Sequence, residues 1–206
     1  MPEMRKKKLS NWIDILNKRN SMKNGIKNFL YWIRYLPIAA GVNWKDEKFQ
    51  MDLKRWSNIL HIEGKNNSIL AQLLFAYPEF RNLFLYRNQY RILYRTYVRI
   101  FYKPLETLYL QTGEIGGGLF IQHGFSTMVA AKSIGENCWI NQQVTIGYKG
   151  MGDPPVIGDN VMITCGAKVL GNITVGNNVT IGANAVVVKD VEEGATMVGV
   201  PAKRIK

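Results

Sequence analysis

The second half of the chain contains one histidine, His123, whose side chain is the best candidate for proton transfer. An imidazole titrates near neutral pH, so it can take a proton from a hydroxyl group while that group attacks a carbonyl carbon. The other histidine, His61, lies in a different part of the sequence. A histidine that only forms a hydrogen bond at a surface or an interface is the alternative. Which role applies depends on the elements around His123.

A six-residue repeat fills the sequence on both sides of this histidine. β-Branched residues recur every six positions: Ile157, Ile163, Val169, Val175, Ile181 and Val187. Small or aliphatic residues follow four positions after each: Val161, Ala167, Ile173, Val179, Ala185 and Val191. The same register occurs earlier, at Ile134, Ile140 and Ile146 and at Tyr109, Ile115 and Ile121. A helix would repeat every 3.6 residues and an ordinary strand every two, so this period predicts the short strands and tight turns of a parallel β-helix.

Two irregularities interrupt the repeat. The step from Ile121 to Ile134 is 13 residues instead of 12, and His123 lies at this slip. The step from Ile146 to Ile157 is 11 residues, which predicts a loop of about five extra residues within 148–156, ejected from the coil. Ligand-binding residues are often carried by such loops.

The first half differs in charge and composition. Residues 1–104 carry 20 Lys and Arg against 7 Asp and Glu, whereas residues 105–206 carry 7 and 8. Sixteen of the 19 glycines follow residue 105, and four of the five tryptophans precede it. These coincident changes predict a basic, mainly helical N-terminal domain over 1–104 and a β-helix domain over 105–206. The expected fold class is therefore α+β.

Three segments of the first half have helical patterns, at residues 9–30, 53–62 and 68–75. A fourth helix is predicted over 84–101, where arginines every four residues would line one face: Arg87, Arg91, Arg95 and Arg99. Such a face is either solvated, part of an oligomer contact, or attracted to an acidic partner such as a membrane surface. No nucleic-acid-binding motif accompanies the charge, so we expect no nucleic-acid partner.

Composition excludes several classes of protein. The 206 residues are 47% hydrophobic, which is enough for a packed core. Two cysteines, Cys138 and Cys165, are too few for a disulfide scaffold, and we expect both to be buried small residues. Two histidines argue against a metal centre. No signal peptide or bilayer-spanning run is recognisable, so we expect a cytoplasmic protein, with contact at the inner face of the membrane as the alternative.

Longer motifs resemble one family. The runs Ile115–Gly124, Ile134–Asn137, Gln142–Gly147, Gly166–Ile173 and Gly199–Ile205 are similar to those of the serine acetyltransferases, which are hexapeptide-repeat acyltransferases. The resemblance covers the β-helix half, whereas only the general plan of a preceding helical domain agrees before it. It implies a left-handed β-helix and homotrimers that can pair into hexamers. It also implies that acetyl-CoA binds in a groove between neighbouring helices, with no metal.

The resemblance assigns roles to individual residues. His123 becomes the general base of a direct acetyl transfer to a hydroxyl group. The positions that bind acetyl-CoA in the family correspond to Gly147, Tyr148, Cys165, Gly166 and Ala183. Lys168, Lys189, Lys203 and Arg204 are cationic candidates for the CoA phosphates. Asn141, Gln142 and Gln143 lie one coil after His123 and are candidates for the acceptor cleft.

The acceptor half departs from the family pattern. In the family, the residue just before the catalytic histidine carries a carboxyl group, and here that position is Gln122. A second carboxylate orients the histidine in the family, and its position corresponds to Leu108 here. Glu106 or Glu114 are the acids that could substitute for it. An Arg-His pair that holds serine corresponds to Asp153 and Pro154. Because these charges would bind a zwitterion, their loss predicts a different acceptor, a saccharide hydroxyl. The alternatives are L-serine O-acetylation for cysteine synthesis and a non-catalytic trimeric scaffold.

Overall fold

The computed structural model describes residues 25–206, and its helices form where apolar side chains recur at helical spacing. They are α1 (Gly25–Gly41), α2 (Glu47–Leu60), α3 (Asn66–Ala76), α4 (Pro78–Arg87) and α5 (Ile92–Phe101). The helices expected at 53–62 and 68–75 are confirmed within α2 and α3, while most of the segment 9–30 lies outside the described residues. Within the described part of the chain, no helix is long and apolar enough to span a membrane.

The chain forms two compact units, of which the first ends at Gly41 and the second runs from Val42 to Lys206. Only α1 of the first unit is described. In this helix the rings of Tyr31 and Tyr35 stack with their centroids 6.4 Å apart. The second unit contains the other four described helices and all the described strands. The change from helix to strand falls between Phe101 and Leu108, but a domain boundary at 104/105 stays a prediction.

The predicted arginine face over 84–101 is wrong as a single helix. Helix α4 ends at Arg87 and α5 begins at Ile92, so the four arginines do not share one face. Arg87 is buried in an ion pair with Asp52, at 2.8 Å between Nε and Oδ2. Arg91 lies between the two helices and its guanidinium stacks over the ring of Tyr94. The side chain of Arg87 is thus part of the core between elements and not of a solvated stripe.

The second half forms fifteen described strands, each of two or three residues. They are β1 (Leu108–Leu110), β2 (Glu114–Ile115), β3 (Phe120–Ile121), β4 (Thr127–Val129), β5 (Ser133–Ile134), β6 (Trp139–Ile140), β7 (Thr145–Gly147), β8 (Val156–Ile157), β9 (Met162–Ile163), β10 (Lys168–Leu170), β11 (Thr174–Val175), β12 (Thr180–Ile181), β13 (Val186–Val187), β14 (Thr196–Val198) and β15 (Lys203–Arg204). From β1 to β13 every third strand pairs in parallel, and β14 pairs in parallel with β12, which gives three sheets around one axis. The antiparallel strand β15 closes the C-terminal end on β14.

We number the three sheets by the order in which their first strands occur in the chain. Sheet 1 contains β1, β4, β7, β10 and β13; sheet 2 contains β2, β5, β8 and β11; sheet 3 contains β3, β6, β9, β12, β14 and β15. The predicted α+β class, with a left-handed parallel β-helix and an ejected loop, is confirmed. The loop occupies the eight residues 148–155 and connects sheet 1 to sheet 2. The next connection between these two sheets, at 171–173, has only three residues.

The repeat residues fill the interior of the β-helix as predicted. All six β-branched residues from Ile157 to Val187 are at most 2% exposed, and the second series is likewise buried. Tyr109 is the exception, because it is 49% exposed while Leu108 is buried. In register, Tyr109 pairs with the exposed Met128, whereas Leu110 pairs with Val129, an interior residue of sheet 1, so the interior series continues at Leu110 and not at the tyrosine. The connection from Leu110 to the next interior residue, Ile115, is one residue shorter than the regular step.

Helix α2 holds the helical part of this unit against the first coil. The indole of Trp56 donates a hydrogen bond to the carbonyl of Leu119 at 2.8 Å and packs on Phe120 with ring centroids 4.6 Å apart. Asp52 accepts a hydrogen bond from the backbone N–H of Gly118 at 2.7 Å, and Arg87 donates to the carbonyls of Ile115 and Gly116. Burial raises the pKa of the Asp52 carboxyl, and the Arg87 contact opposes this rise. These buried polar groups fix α2 and α4 on the turn that precedes β3.

Candidate functional site

One corner of the β-helix collects most of the residues singled out from the sequence. The His123 corner is the edge where sheet 3 turns into sheet 1, formed by residues 122–126, 141–144, 164–167 and 182–185 in successive coils. Backbone hydrogen bonds join its layers: Gln143 N–H donates to Phe125, Gly166 N–H to Gln142, and Asn184 N–H to Cys165, at 2.9–3.0 Å. The structure therefore stacks His123, Gln142, Cys165 and Ala183 along one edge.

His123 lies in the only irregular layer of this corner. Val129 follows Ile121 by eight residues where the regular step between interior positions is six. Regular layers turn with one left-handed residue, such as Gln143 (φ 60°), whereas this layer has two, His123 (φ 55°) and Ser126 (φ 52°). A non-glycine residue in that region costs about 1–3 kcal/mol. The slip in the repeat is thus a longer turn that presents His123 outward.

The imidazole of His123 is exposed and open to a ligand. Within residues 25–206 it takes part in no hydrogen bond or ion pair, while its own carbonyl accepts a short bond of 2.6 Å from the N–H of Phe125. An exposed imidazole that is not bonded within the chain can accept a proton from a bound hydroxyl group.

Amide side chains surround this histidine. Asn141 Nδ2 donates to Gln122 Oε1 at 3.2 Å, which links the first two layers of the His123 corner. The side-chain amide oxygen of Gln142, Oε1, is buried and accepts no hydrogen bond from the described residues. Leaving such a group without a partner costs about 1–3 kcal/mol, so a ligand donor would be stabilised at this point.

The ejected loop lies at a different edge. Gly147, Tyr148 and Asp153 follow the carboxyl ends of the sheet 1 strands, whereas the His123 corner precedes their amino ends. Strands of three residues separate the two edges by about 10 Å. Within one chain the structure therefore does not bring Asp153 next to His123, and it separates the predicted acetyl-CoA residues into two groups.

The two glycines predicted to contact acetyl-CoA differ in what the fold requires of them. Gly166 has φ +72°, and a Cβ there would lie 2.0 Å from Asn184 Oδ1. The turn alone explains this glycine. A Cβ on Gly147 would have no atom within 4 Å, and its backbone is not left-handed. Because the fold leaves open space at Gly147, its small size is better suited to a ligand lying against the backbone.

The two cysteines have different surroundings. Cys138 is 1% exposed, and burial raises the pKa of its thiol to about 11. Cys165 is partly exposed at the His123 corner, so the expectation that both cysteines are buried holds only for Cys138. Neither cysteine forms a disulfide.

The cationic candidates lie along the later coils. The ammonium group of Lys168 donates to the carbonyl of Gln143 at 2.6 Å, on the His123 corner. Arg204 pairs with Glu192 at 2.6 Å, and Lys203 is exposed beside it on β15. These groups lie on the surface, where each can turn towards a phosphate.

The carboxylates expected to orient His123 are elsewhere. Leu108, at the corresponding family position, is buried in the first coil. Glu114 is bound to Lys48 at 2.7 Å, a contact that lowers the pKa of the Glu114 carboxyl, and Glu106 is exposed. A different acid, Glu79 of α4, packs on Gly124 beside His123, and no sequence signal points to it because 44 residues and a change of fold separate it from the histidine. Only the packing of α4 against the first coil brings it to the His123 corner.

Comparison with known proteins agrees with this architecture. A family model described as bacterial transferase hexapeptide (six repeats) matches residues 154–189. A serine acetyltransferase of Staphylococcus xylosus is 47% identical over 97 residues, covering 45% of each chain. One of Synechococcus elongatus is 37% identical over 146 residues, covering 65% of this chain and 59% of the relative. The chain thus matches roughly half the length of these curated relatives.

Solved structures extend the likeness to the helical part. Serine acetyltransferase of Neisseria gonorrhoeae, in complex with serine, superposes with a TM-score of 0.59 at 27% identity, covering 78% of this chain and 68% of that one. The Brucella abortus enzyme gives a TM-score of 0.59 at 26% identity, covering 85% and 73%. In sequence and in fold, this chain is similar to the serine acetyltransferases, and its residues 154–189 match the hexapeptide repeat of bacterial transferases.

Proposed function

We propose that the protein transfers the acetyl group of acetyl-CoA directly to the hydroxyl group of L-serine, with His123 as the general base. The observation that carries the proposal is the stacking of His123 with Gln142, Cys165 and Ala183 along one edge. The proton acceptor then belongs to the same stack as the residues that we propose for the acetyl-CoA groove. The proteins named in the comparisons are serine acetyltransferases, which supports serine as the acceptor.

The step needs only one proton carrier. The serine oxygen attacks the thioester carbonyl carbon while its proton passes to His123, which is exposed and unbonded within the described residues. The C–S bond then breaks, and the departing CoA sulfur takes the proton from His123. Backbone N–H groups of the neighbouring turns are candidates to stabilise the intermediate oxyanion.

The donor groove is assigned to two edges of the β-helix. Cys165, Gly166 and Ala183 line the His123 corner, and Gly147 and Tyr148 lie beyond sheet 1. We propose that the groove forms between copies of the chain, so that one copy supplies the His123 corner and another supplies the loop with Asp153. Lys203 and Arg204 are proposed to bind the CoA phosphates, for which Arg204 would exchange its contact with Glu192.

The saccharide acceptor expected from the sequence has no support from the comparisons. It was inferred because Gln122, Asp153 and Pro154 lack the charges that hold serine in the family. Since the loop carrying Asp153 and Pro154 lies away from His123 in the same chain, these departures bear less directly on the acceptor than their sequence positions suggest. A cytoplasmic location and contact of the basic half with a membrane stay predictions.

The deciding experiment measures thiol release from acetyl-CoA in the presence of L-serine and a panel of sugars. His123 and His61 are a matched pair, because both adopt left-handed backbone conformations, with φ of 55° and 54°. Asn tolerates that conformation, so we compare His123→Asn with His61→Asn. We expect serine turnover, reduced about 10²- to 10⁴-fold by the first substitution and unchanged by the second.

Two outcomes would contradict the proposal. Turnover with a saccharide and none with serine would show that the acceptor was wrongly assigned. Calorimetry on the same sample measures acetyl-CoA binding, and its absence would favour the non-catalytic scaffold.

A further inference from the structure

One face of helix α4 is fixed on the first coil of the β-helix. Glu79, Asn82 and Tyr86 are three and four residues apart, so they share this face. Asn82 Nδ2 donates to the carbonyls of Leu105 and Leu108, each at 3.0 Å, and its own oxygen accepts from the N–H of Leu105 at 2.8 Å. Tyr86 donates more weakly to a carbonyl further along the coil. These contacts hold the first turn of α4, which carries Glu79, in a defined place.

That place is beside the catalytic histidine. A Cβ on Gly124 would lie 3.2 Å from Glu79 Cγ and 3.0 Å from Leu108 Cδ2. Gly124 is buried and directly follows His123. The methylene groups of Glu79 therefore pack on the backbone of Gly124, the residue directly after His123, which brings the Glu79 side chain to the His123 turn.

The carboxylate of Glu79 has no partner of opposite charge in the described chain. Residues 25–206 contain three ion pairs, made by Asp52, Glu114 and Glu192, and Glu79 is in none of them. The side chain is partly buried. Burial raises the pKa of the nearby Tyr77 hydroxyl, and the negative charge of Glu79 raises it further. A partly desolvated anion of this kind attracts a cation from a ligand.

The ligand that fits is an acceptor with an ammonium group next to its hydroxyl group. In serine the two groups are on neighbouring carbon atoms, so a hydroxyl group within hydrogen-bond distance of His123 places the ammonium within a few ångströms. A sugar hydroxyl can donate a hydrogen bond to the same carboxylate, but it carries no charge and so lacks the ion pair that an ammonium group adds. The acid therefore favours the acceptor that carries an ammonium group.

We propose that Glu79 is a specificity residue that binds the ammonium group of the acceptor while His123 takes the hydroxyl proton. This inference rests on the proposed function. It assigns the cation-binding role to the helical part of the chain, in place of Gln122, which is uncharged.

The test compares two acceptors that differ only in the ammonium group, L-serine and 3-hydroxypropanoate. Glu79→Gln keeps the shape and removes the charge, Glu79→Asp keeps the charge, and Glu106→Gln is a control at an exposed acid near β1. We expect Glu79→Gln to lower kcat/KM for serine about 10- to 100-fold, mainly through KM, because a charged hydrogen bond is lost. Turnover of 3-hydroxypropanoate, the KM for acetyl-CoA and the melting temperature should not change.

The outcomes distinguish a failure of the Glu79 assignment from a failure of the proposed function. Glu79→Asp should recover part of the serine preference, and Glu106→Gln should match the wild type. An equal loss with both acceptors would mean a structural role, and an unchanged serine kcat/KM would remove Glu79 from the site. If the wild-type protein itself does not use serine, the proposed function fails, and the assignment of Glu79 fails with it.

Discussion

At the scale of single residues, two residues of the same type can have different physical roles in this protein. Gly166 is required by its turn, whereas Gly147 borders open space. Cys138 is enclosed in the coil, whereas Cys165 reaches the His123 corner. Residue type therefore identifies candidates, and the surroundings of each residue decide which of them a ligand can contact.

The two cysteines provide a test of the donor groove. At pH 8 the thiol of Cys138, with a pKa of about 11, stays protonated and enclosed, so Ellman's reagent should not react with it in the folded protein. Cys165 should react, and saturating acetyl-CoA should slow this reaction at least about tenfold, since the reagent and the ligand would compete for one surface. Labelling followed by peptide mass spectrometry measures both rates.

A Cys165→Ala variant serves as the control, because it should show almost no labelling until it is denatured. Labelling of Cys165 at the same rate with and without acetyl-CoA would mean that the donor does not cover this part of the His123 corner.

At the scale of elements, helix α2 depends on the absence of side chains in the turn before β3. A Cβ on Gly117 would lie 2.6 Å from Met51 Sδ, 2.8 Å from Met51 Cβ and 3.1 Å from the Cα of Lys48. The methionine sulfur can move, but the helix backbone cannot do so without disturbing the neighbouring contacts of Trp56 and Asp52. Gly117 is therefore the position at which the backbone of α2 packs closely on this turn.

We expect Gly117→Ala to lower the free energy of unfolding by about 1–3 kcal/mol, because the added methyl group pushes α2 away from the coil. Gly152→Ala in the ejected loop is the matched control, since the nearest atom to its Cβ, the Lys149 carbonyl oxygen, is 3.7 Å away. Urea denaturation followed by tryptophan fluorescence measures both. Equal stability of the two variants would show that α2 is not closely packed on this turn.

At the scale of the whole molecule, the proposed site is incomplete in one chain. The His123 corner and the ejected loop lie on opposite edges of sheet 1, and exposed apolar side chains lie between them. Tyr109 and Met128 are neighbours on adjacent strands of this sheet and are 49% and 41% exposed. An assembly that covers sheet 1 would bury these side chains and bring the two edges together.

We expect the wild-type protein to sediment as a trimer or a pair of trimers. Met128→Glu should lower the sedimenting mass to that of one chain and abolish acetyl transfer, because burying an unpaired carboxylate is costly. Ile205→Glu, a substitution at an exposed apolar residue near the C-terminus, should keep both the assembly and the activity. A fully active wild-type monomer in analytical ultracentrifugation would contradict a shared site.

Much of the β-helix could be predicted from the sequence, because its order is local. Each coil buries side chains at fixed spacing, so Ile157, Ile163 and Val169 predict the interior directly. The same regularity made the longer turn at His123 and the loop at 148–155 visible as departures from the period. The period is wrong at Tyr109, because the connection after Leu110 is one residue shorter and the interior register of the first coil falls on Leu110.

The sequence by itself thus determined the repeat, the coil interior and the candidate base. Only the tertiary structure decided that Arg87 belongs to a buried ion pair, that Asp153 lies away from His123, and that Glu79 lies beside it. The physical reason is the range of the interactions. The six-residue period reflects contacts between neighbouring coils. The position of α4 depends on hydrogen bonds and packing between residues far apart in the chain, and such contacts produce no periodic pattern in the sequence.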